Sequence, residues 1–346
     1  MVIYWLMFWL PLLGVISPRR LAGSQARVVF GLVCAFYTLL IGLRHQVGGD
    51  WFNYLPTFDY IATLTFSDAI NSKEPGYFAL NWLVARAGGD IYLVNLVCAA
   101  IMMLGVYRFC INLPNPWLAL LVAVPYMLIV VGMGYTRQAV ALGAAMFGLV
   151  SLGNGRTLVF VICIFLGALF HSSAICLIPI AGFAASTQRV WTMIWVAIAS
   201  VIAFVVLLQS ESETMWNNYV TVRMYSTGAV ERVSMNVVAA VLLLAQRKRF
   251  VEEFQIRRLW IIFCWLALVC LPLVFLASTA VDRMALYLLP LQLVVFSRMP
   301  NLTHNPTART VIVVGIAVYY AIVQVVWLNF AVFSHLWVPY HFMPLD

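Results

Sequence analysis

Residues 28–43, VVFGLVCAFYTLLIGL, carry no charge and stop at residues 44–76, RHQVGGDWFNYLPTFDYIATLTFSDAINSKEPG. The first stretch is apolar enough to read as a membrane-crossing helix with some tilt, and the second is the longest polar segment in the chain. Their junction decides the fold, because an apolar run closed by a charged connector recurs throughout. Runs of this kind lie at about 2–17, 28–43, 90–109, 117–133, 138–152, 157–170, 173–185, 190–208, 234–245, 259–277, 284–297 and 310–332. The chain has 346 residues, of which 64% are hydrophobic and only 9% charged. That is more apolar surface than a soluble domain of this length hides, so the bilayer is its solvent.

The expected fold is therefore all-α: a single polytopic integral membrane domain over 1–346, with about twelve transmembrane helices. Several runs are short for a straight span, so those flanking Arg137, His171 and Arg283 are expected to be tilted or broken. The N-terminal residues lack a basic stretch before their apolar run and a small-residue cleavage pattern, and read as a retained first span. The seven cysteines fall in or beside apolar runs without metal or CxxC spacing and read as packing residues.

Charge fixes the sides. With the N-terminus outside, thirteen of the 20 Lys and Arg residues fall on cytoplasmic connectors, accompanied only by Glu252 and Glu253. The net charge of +8 is dispersed in this way and explained by topology, so nucleic acid is not a partner. The outer face holds ten acids with Arg44, Lys73, Arg86, Arg137, Arg223, Arg232 and Arg283. Orientation does not account for these seven cations, and chemistry is sought among them.

Two outer loops are expected, at about 44–89 and 209–233. Within the first, residues 75–87 open with Pro75 in a first-turn position and read as an interfacial helix. The segment HLWVPYHFMPLD, with Tyr340, forms a third, aromatic outer element.

Arg137, in GYTRQAV, opens a helix, where a cation opposes the dipole and an anion would compensate it; Gln138 beside it can donate to a phosphate or a sugar. Snorkelling to lipid headgroups is the structural alternative. Arg283 has Asp282 as a local ion-pair partner, and Arg44 closes a helix where a cation is favoured. Together the three arginines can hold a pyrophosphate. His171 interrupts apolar sequence, where an ionisable group defaults to a functional hypothesis, although a satisfied packing histidine is commoner. Asp50, after Gly48 and Gly49, and Glu74, just before a helix start, are candidate general bases, with Asp50 ranked first. Capping accounts for Glu74 as well.

RHQVGGDWFNY, EPGYFALNWLV, YTRQAVALGAAM, LFHSSAICLIPI, DRMALYLLP and VPYHF, in this order, resemble the EpsG family of bacterial exopolysaccharide polymerases. Gly49 stands where that family's pattern has threonine. The resemblance implies a Wzy-like enzyme of glycosyltransferase-C-like helical architecture at the outer face of the bacterial inner membrane. It would join undecaprenyl-pyrophosphate-linked repeat units into exopolysaccharide, capsule or O-antigen. Donor and acceptor are then both lipid-linked oligosaccharides, a chain-length regulator is a possible partner, and no metal or other cofactor is required. An in-line displacement inverts the anomeric centre, with Asp50, Glu74 or His171 as base and Arg44, Arg137 and Arg283 on the leaving pyrophosphate. Trp51 and Tyr54 would stack on sugars, although interfacial belts explain such residues equally well. A flippase or a glycan ligase for the same carrier are the alternatives. A flippase is expected to place charge along a midplane path between repeated halves, and no repeat is visible.

Overall fold

A computed structural model of the chain describes residues 1–17, 23–180, 189–207, 226–250 and 257–345. Most of it is helix: α1 (Val2–Ile16), α2 (Gly23–Gly42), α3 (Trp51–Thr63), α4 (Phe66–Ile70), α5 (Pro75–Arg86), α6 (Ile91–Ile111) and α7 (Pro116–Gly132). The chain continues through α8 (Thr136–Gly153), α9 (Thr157–Ala168), α10 (Arg189–Leu207), α11 (Ala229–Ala245), α12 (Arg257–Leu273), α13 (Ser278–Leu302) and α14 (Pro306–Phe330). Among the described residues α2, α6, α13 and α14 are long and apolar enough to cross a membrane, and five shorter helices are also apolar. The all-α membrane-type reading holds, with one two-residue strand pair added.

The core lies where α6 packs against α2 and α8, α8 against α9, and α7 against α1 and α13. In a bilayer, helices associate through close backbone approach and polar bonds. Both devices are present. A Cβ on Gly105 of α6 would stand 2.1 Å from the Gly143 carbonyl of α8, so only a missing side chain permits that contact. Between α11, α13 and α14, Gln292 donates to Asn236 at 2.7 Å, Tyr320 donates to Gln292 at 2.7 Å, and Asn236 donates to the Ala285 carbonyl at 2.9 Å.

Three expectations change. The polar segment 44–76 is not one loop: α3 and α4 occupy much of it, because Trp51, Tyr54, Phe58 and Ile61 give α3 an apolar face that packs on α5. Arg283 does not stand at a break. The chain turns at residues 274–277, and α13 runs on from Ser278 with a short 3₁₀ turn at Leu286–Leu288. Most of the expected outer loop 209–233 lies outside the described residues, which resume at Ser226. The expected packing role suits Cys34, Cys98, Cys110 and Cys264, which are buried, whereas Cys176 is exposed.

The elements expected on one side meet at one end of the bundle. Arg44–His45 pairs antiparallel with His341–Phe342, so the C-terminal segment lies across the end of α2. The Gly48 amide donates to the Leu336 carbonyl at 2.8 Å, the Met343 amide to Leu43 at 2.9 Å, and the Tyr340 hydroxyl to Leu40 at 2.7 Å. Trp337 anchors this strap from below. Its indole N–H donates to the Ile129 carbonyl at 3.0 Å, in the half of α7 after Pro125 that is wound as a π-helix. Gly48, at φ +106°, passes so close to Met133 that a Cβ would stand 2.1 Å from its carbonyl oxygen. The turn leading to Asp50 therefore requires glycine.

Candidate functional site

The sequence places the candidate side chains where helices begin or end. Asp50 immediately precedes α3, Glu74 precedes α5, Arg137 lies in the first turn of α8, His171 follows α9, and Arg283 lies in the first turns of α13. Helix ends leave backbone groups unsatisfied, so these positions suit polar chemistry at the rim of an apolar bundle.

Arg137, Glu74 and His171 form one group. Arg137 donates through Nη1 to Glu74 Oε2, and its guanidinium stands 5.9 Å from the ring centres of Tyr54 and Tyr77. The Arg137 side chain is still 39% exposed, so the ion pair leaves part of the guanidinium open. Glu74 occupies the N-cap of α5, yet its carboxylate makes no capping bond. Arg137 takes it instead, which replaces the capping explanation. Gly76 fixes this geometry: its amide donates to the Leu169 carbonyl at 2.9 Å, tying the start of α5 to the turn that carries His171.

His171 Nδ1 stands 3.5 Å from Glu74 Oε1, and it is buried without a hydrogen-bond partner. Glu74 already answers the Arg137 charge, and burial with Arg283 and Arg137 nearby drives the imidazole down to about 3. The ring is neutral at ordinary pH.

Asp50 is half-buried and accepts from the Tyr54 hydroxyl at 3.2 Å. Burial raises its proton affinity above the usual carboxylate range, against the opposing pull of Arg137, the Tyr54 hydrogen bond, Arg283 and Arg44. The same charges that surround His171 thus reach Asp50.

Arg283 is exposed and makes no side-chain hydrogen bond or ion pair among the described residues. Its expected partner is taken: Asp282 is held by Arg232 of α11, with Nε to Oδ1 at 2.8 Å and Nη2 to Oδ2 at 2.6 Å, and accepts from Ser226 at 2.9 Å. Adjacent residues on a helix point to different faces, and the face carrying Asp282 is the one that meets α11. Gln138 donates to the Arg283 backbone carbonyl at 2.8 Å, coupling the first turn of α8 to α13. Between them opens a cavity of about 280 Å³, whose wall includes Tyr126, Tyr135, Gln138, Thr279, Asp282 and Arg283.

The remaining expected residues are committed elsewhere. Arg44 is fully buried and lies beneath the loop, bonded through Nε to Val47 (3.1 Å), Nη1 to Ile41 (2.6 Å) and Nη2 to Thr136 (2.8 Å). It satisfies carbonyls at the end of α2, as a cation there should, and does not face the cavity. Trp51 and Tyr54 are also buried, in a cluster with Tyr77 and, beside Trp51, His45 and Tyr92, so their faces meet protein and not a sugar. The Tyr340 hydroxyl is bonded to Leu40, and its ring meets Tyr4 edge-on at 5.7 Å.

Over residues 27–342 the chain matches the description of the EpsG family. The chain belongs to the EpsG family. No curated protein and no solved structure matches it. Membership associates this EpsG-family chain with exopolysaccharide polymerisation, in keeping with its apolar helices.

Sequence reasoning missed the Arg232–Asp282 pair, the Thr136 hydroxyl on Arg44, and the strap over the Asp50 turn. Thr136 had a signal, since it adjoins Arg137 in the same motif. The other two join segments 50 residues apart or more, and nothing local announces them.

Proposed function

We propose that this EpsG-family chain is a Wzy-type glycosyltransferase that polymerises undecaprenyl-pyrophosphate-linked repeat units at the outer face of a bacterial inner membrane. About twelve spans and a glycosyltransferase-C-like arrangement belong to the same reading, supported by five short apolar helices beside the four long ones. The bias of basic residues to one set of connectors supports the orientation.

One observation carries the proposal: Arg283, which makes no side-chain hydrogen bond or ion pair among the described residues, lines a cavity with Gln138, the partly exposed Arg137 precedes Gln138 in the first turn of α8, and Asp50, Glu74 and His171 gather at the same end. Guanidinium groups bind phosphate oxygens bidentately and stay charged, so two of them suit a leaving pyrophosphate, whose charge grows as the glycosidic bond breaks. The acceptor hydroxyl of the incoming repeat unit attacks the anomeric carbon from the opposite side and inverts it. Its proton goes to a base, and Asp50 fits best. Burial raises its proton affinity, whereas Glu74 is engaged by Arg137 and His171 is held neutral with a poor capacity to accept. In this reading Glu74 orients Arg137, and Arg44, Tyr54 and the strap orient Asp50.

The test is incubation of the purified protein with lipid-linked repeat units. A ladder of multiples is expected. A product confined to single units, even after translocation across a vesicle membrane, overturns the polymerase reading.

A further inference from the structure

Arg232 and Asp282 do more than deprive Arg283 of its neighbour. Their geometry carries more. Asp282 lies in the wall of the cavity that Arg283 also lines, so a carboxylate stands beside the group proposed to receive an anion. Left alone, that carboxylate would repel a phosphate and attract Arg283. It is not left alone: both its oxygens are occupied, Oδ1 by Arg232 Nε and Oδ2 by Arg232 Nη2 and the Ser226 hydroxyl. The pair is largely withdrawn from solvent, at 13% exposure on each side chain, where an opposite charge is felt strongly. Arg232 spends its remaining donors locally, on the Thr227 carbonyl at 3.0 Å and on Ser226 at 2.8 Å. Ser226 is itself tied to α13 through Ser278 Oγ, at 2.9 Å from its amide. Both arms of the clasp converge on one carboxylate.

We infer that Arg232 is a positioning residue for anion binding: by neutralising Asp282 it keeps Arg283 free and the cavity wall positive. The inference rests on the reading that Arg283 meets the pyrophosphate, but it assigns a task to a residue that never touches it. Arg232 and Asp282 have no use in the bond-making step. Their pairing decides whether the cavity offers the anion a net cation or a cation beside an anion.

The experiment measures binding of inorganic pyrophosphate to the purified, detergent-solubilised full chain, with thermal unfolding recorded for each variant. Arg283→Met is expected to weaken binding roughly tenfold, as loss of a charge-assisted contact does. Arg232→Met, which exposes the Asp282 charge, is expected to weaken it by a similar factor although Arg283 is intact. Arg232→Met combined with Asp282→Asn is expected to restore affinity to within about twofold of wild type, because the offending charge is gone. Restoration is the readout that a merely structural clasp would not give, since the double variant lacks the ion pair altogether. A double variant as weak as Arg232→Met, with an unchanged melting temperature, overturns the inference. If Arg232→Met does not fold, Asp282→Asn alone decides: affinity equal to or above wild type agrees, and a tenfold loss overturns. Should Arg283→Met bind normally, the pyrophosphate reading of the site fails first, and that failure is distinct from a failed rescue.

Discussion

Arg44 and Arg283 stand at the same end of the bundle and carry the same charge, yet their surroundings give them opposite work. Arg44 is sealed beneath the Asp50 turn, with bonds to Ile41, Val47 and Thr136. Arg283 is exposed in the cavity wall, with its neighbouring carboxylate occupied by Arg232. The difference teaches that an arginine at this end of the bundle is assigned by what its neighbours leave it to do. Where carbonyls converge on a guanidinium it holds the fold, and where its counter-ion is taken it is available to a ligand.

The sharpest way to break the comparison is to remove each arginine and read stability and rate separately. Arg44→Ala is expected to cost about 3–5 kcal/mol, because it leaves a cavity and strips partners from buried carbonyls and the Thr136 hydroxyl. Since whole domains are stable by only about 5–15 kcal/mol, thermal unfolding in detergent should show a large fall in midpoint or a loss of folded protein. An Arg44→Ala variant with a wild-type melting temperature and no activity would show that Arg44 is a ligand group after all. Arg283→Met should do the reverse, leaving the melting temperature within a degree or two and cutting the polymerisation rate about a hundredfold to a thousandfold.

Arg137 lies between these extremes, since it is paired with Glu74 yet 39% exposed. Arg137→Lys keeps the charge but not the fork that binds two phosphate oxygens at once, so about a hundredfold loss of rate with near-normal folding is expected. Near-normal polymer from that variant would remove Arg137 from the site and leave it with the tasks of Arg44.

Asp50 provides a comparison by pH. Its proton affinity is raised by burial, so activity should climb as pH rises through a limb above the usual carboxylate range, and Asp50→Asn should abolish that limb along with most of the rate. The stability sign is opposite. A carboxyl whose folded pKa is raised favours the fold at low pH and loses that contribution as pH rises, so Asp50→Asn should unfold at a higher temperature than wild type near neutral pH. A variant that is both slower and less stable would mean that Asp50 shapes the turn and takes no proton.

Much of the fold was legible because the bilayer imposes it. Apolar runs such as 90–109 and 310–332 have one way to satisfy their backbone in lipid, and the helix start at Pro75 was marked by a residue lacking an amide hydrogen. The gathering of Arg137, Glu74 and His171 was partly within reach, because Arg137 and His171 interrupt apolar sequence and Glu74 lies in the polar segment expected on the same face as Arg137. What was not legible is which polar groups pair. Arg44 and Arg283 look alike in sequence, and only the approach of α8 to the end of α2, and of α11 to α13, separates a sealed guanidinium from a free one. The helices α3 and α4 were hidden for a related reason: a half-buried interfacial helix keeps polar residues on one face and so reads as a loop.

The smallest effect on rate is expected at His171, and it tests the idea that the two arginines rule their neighbourhood. With its imidazole driven down to about 3 by burial, Arg283 and Arg137, His171 takes up no proton at working pH, so His171→Gln should retain the rate within about tenfold and leave the Asp50 limb where it was. Stability gives the complementary sign. An imidazole whose folded pKa is depressed below the unfolded value of about 6.5 contributes stability that is present above that pH and is lost as pH falls toward about 3. Wild type should therefore lose melting temperature through that window more steeply than His171→Gln. Pyrophosphate should soften the wild-type slope, because an anion beside Arg137 and Arg283 screens the charges that hold His171 neutral. A slope indifferent to pyrophosphate would place the anion away from these arginines and return Arg283 to the company of Arg44.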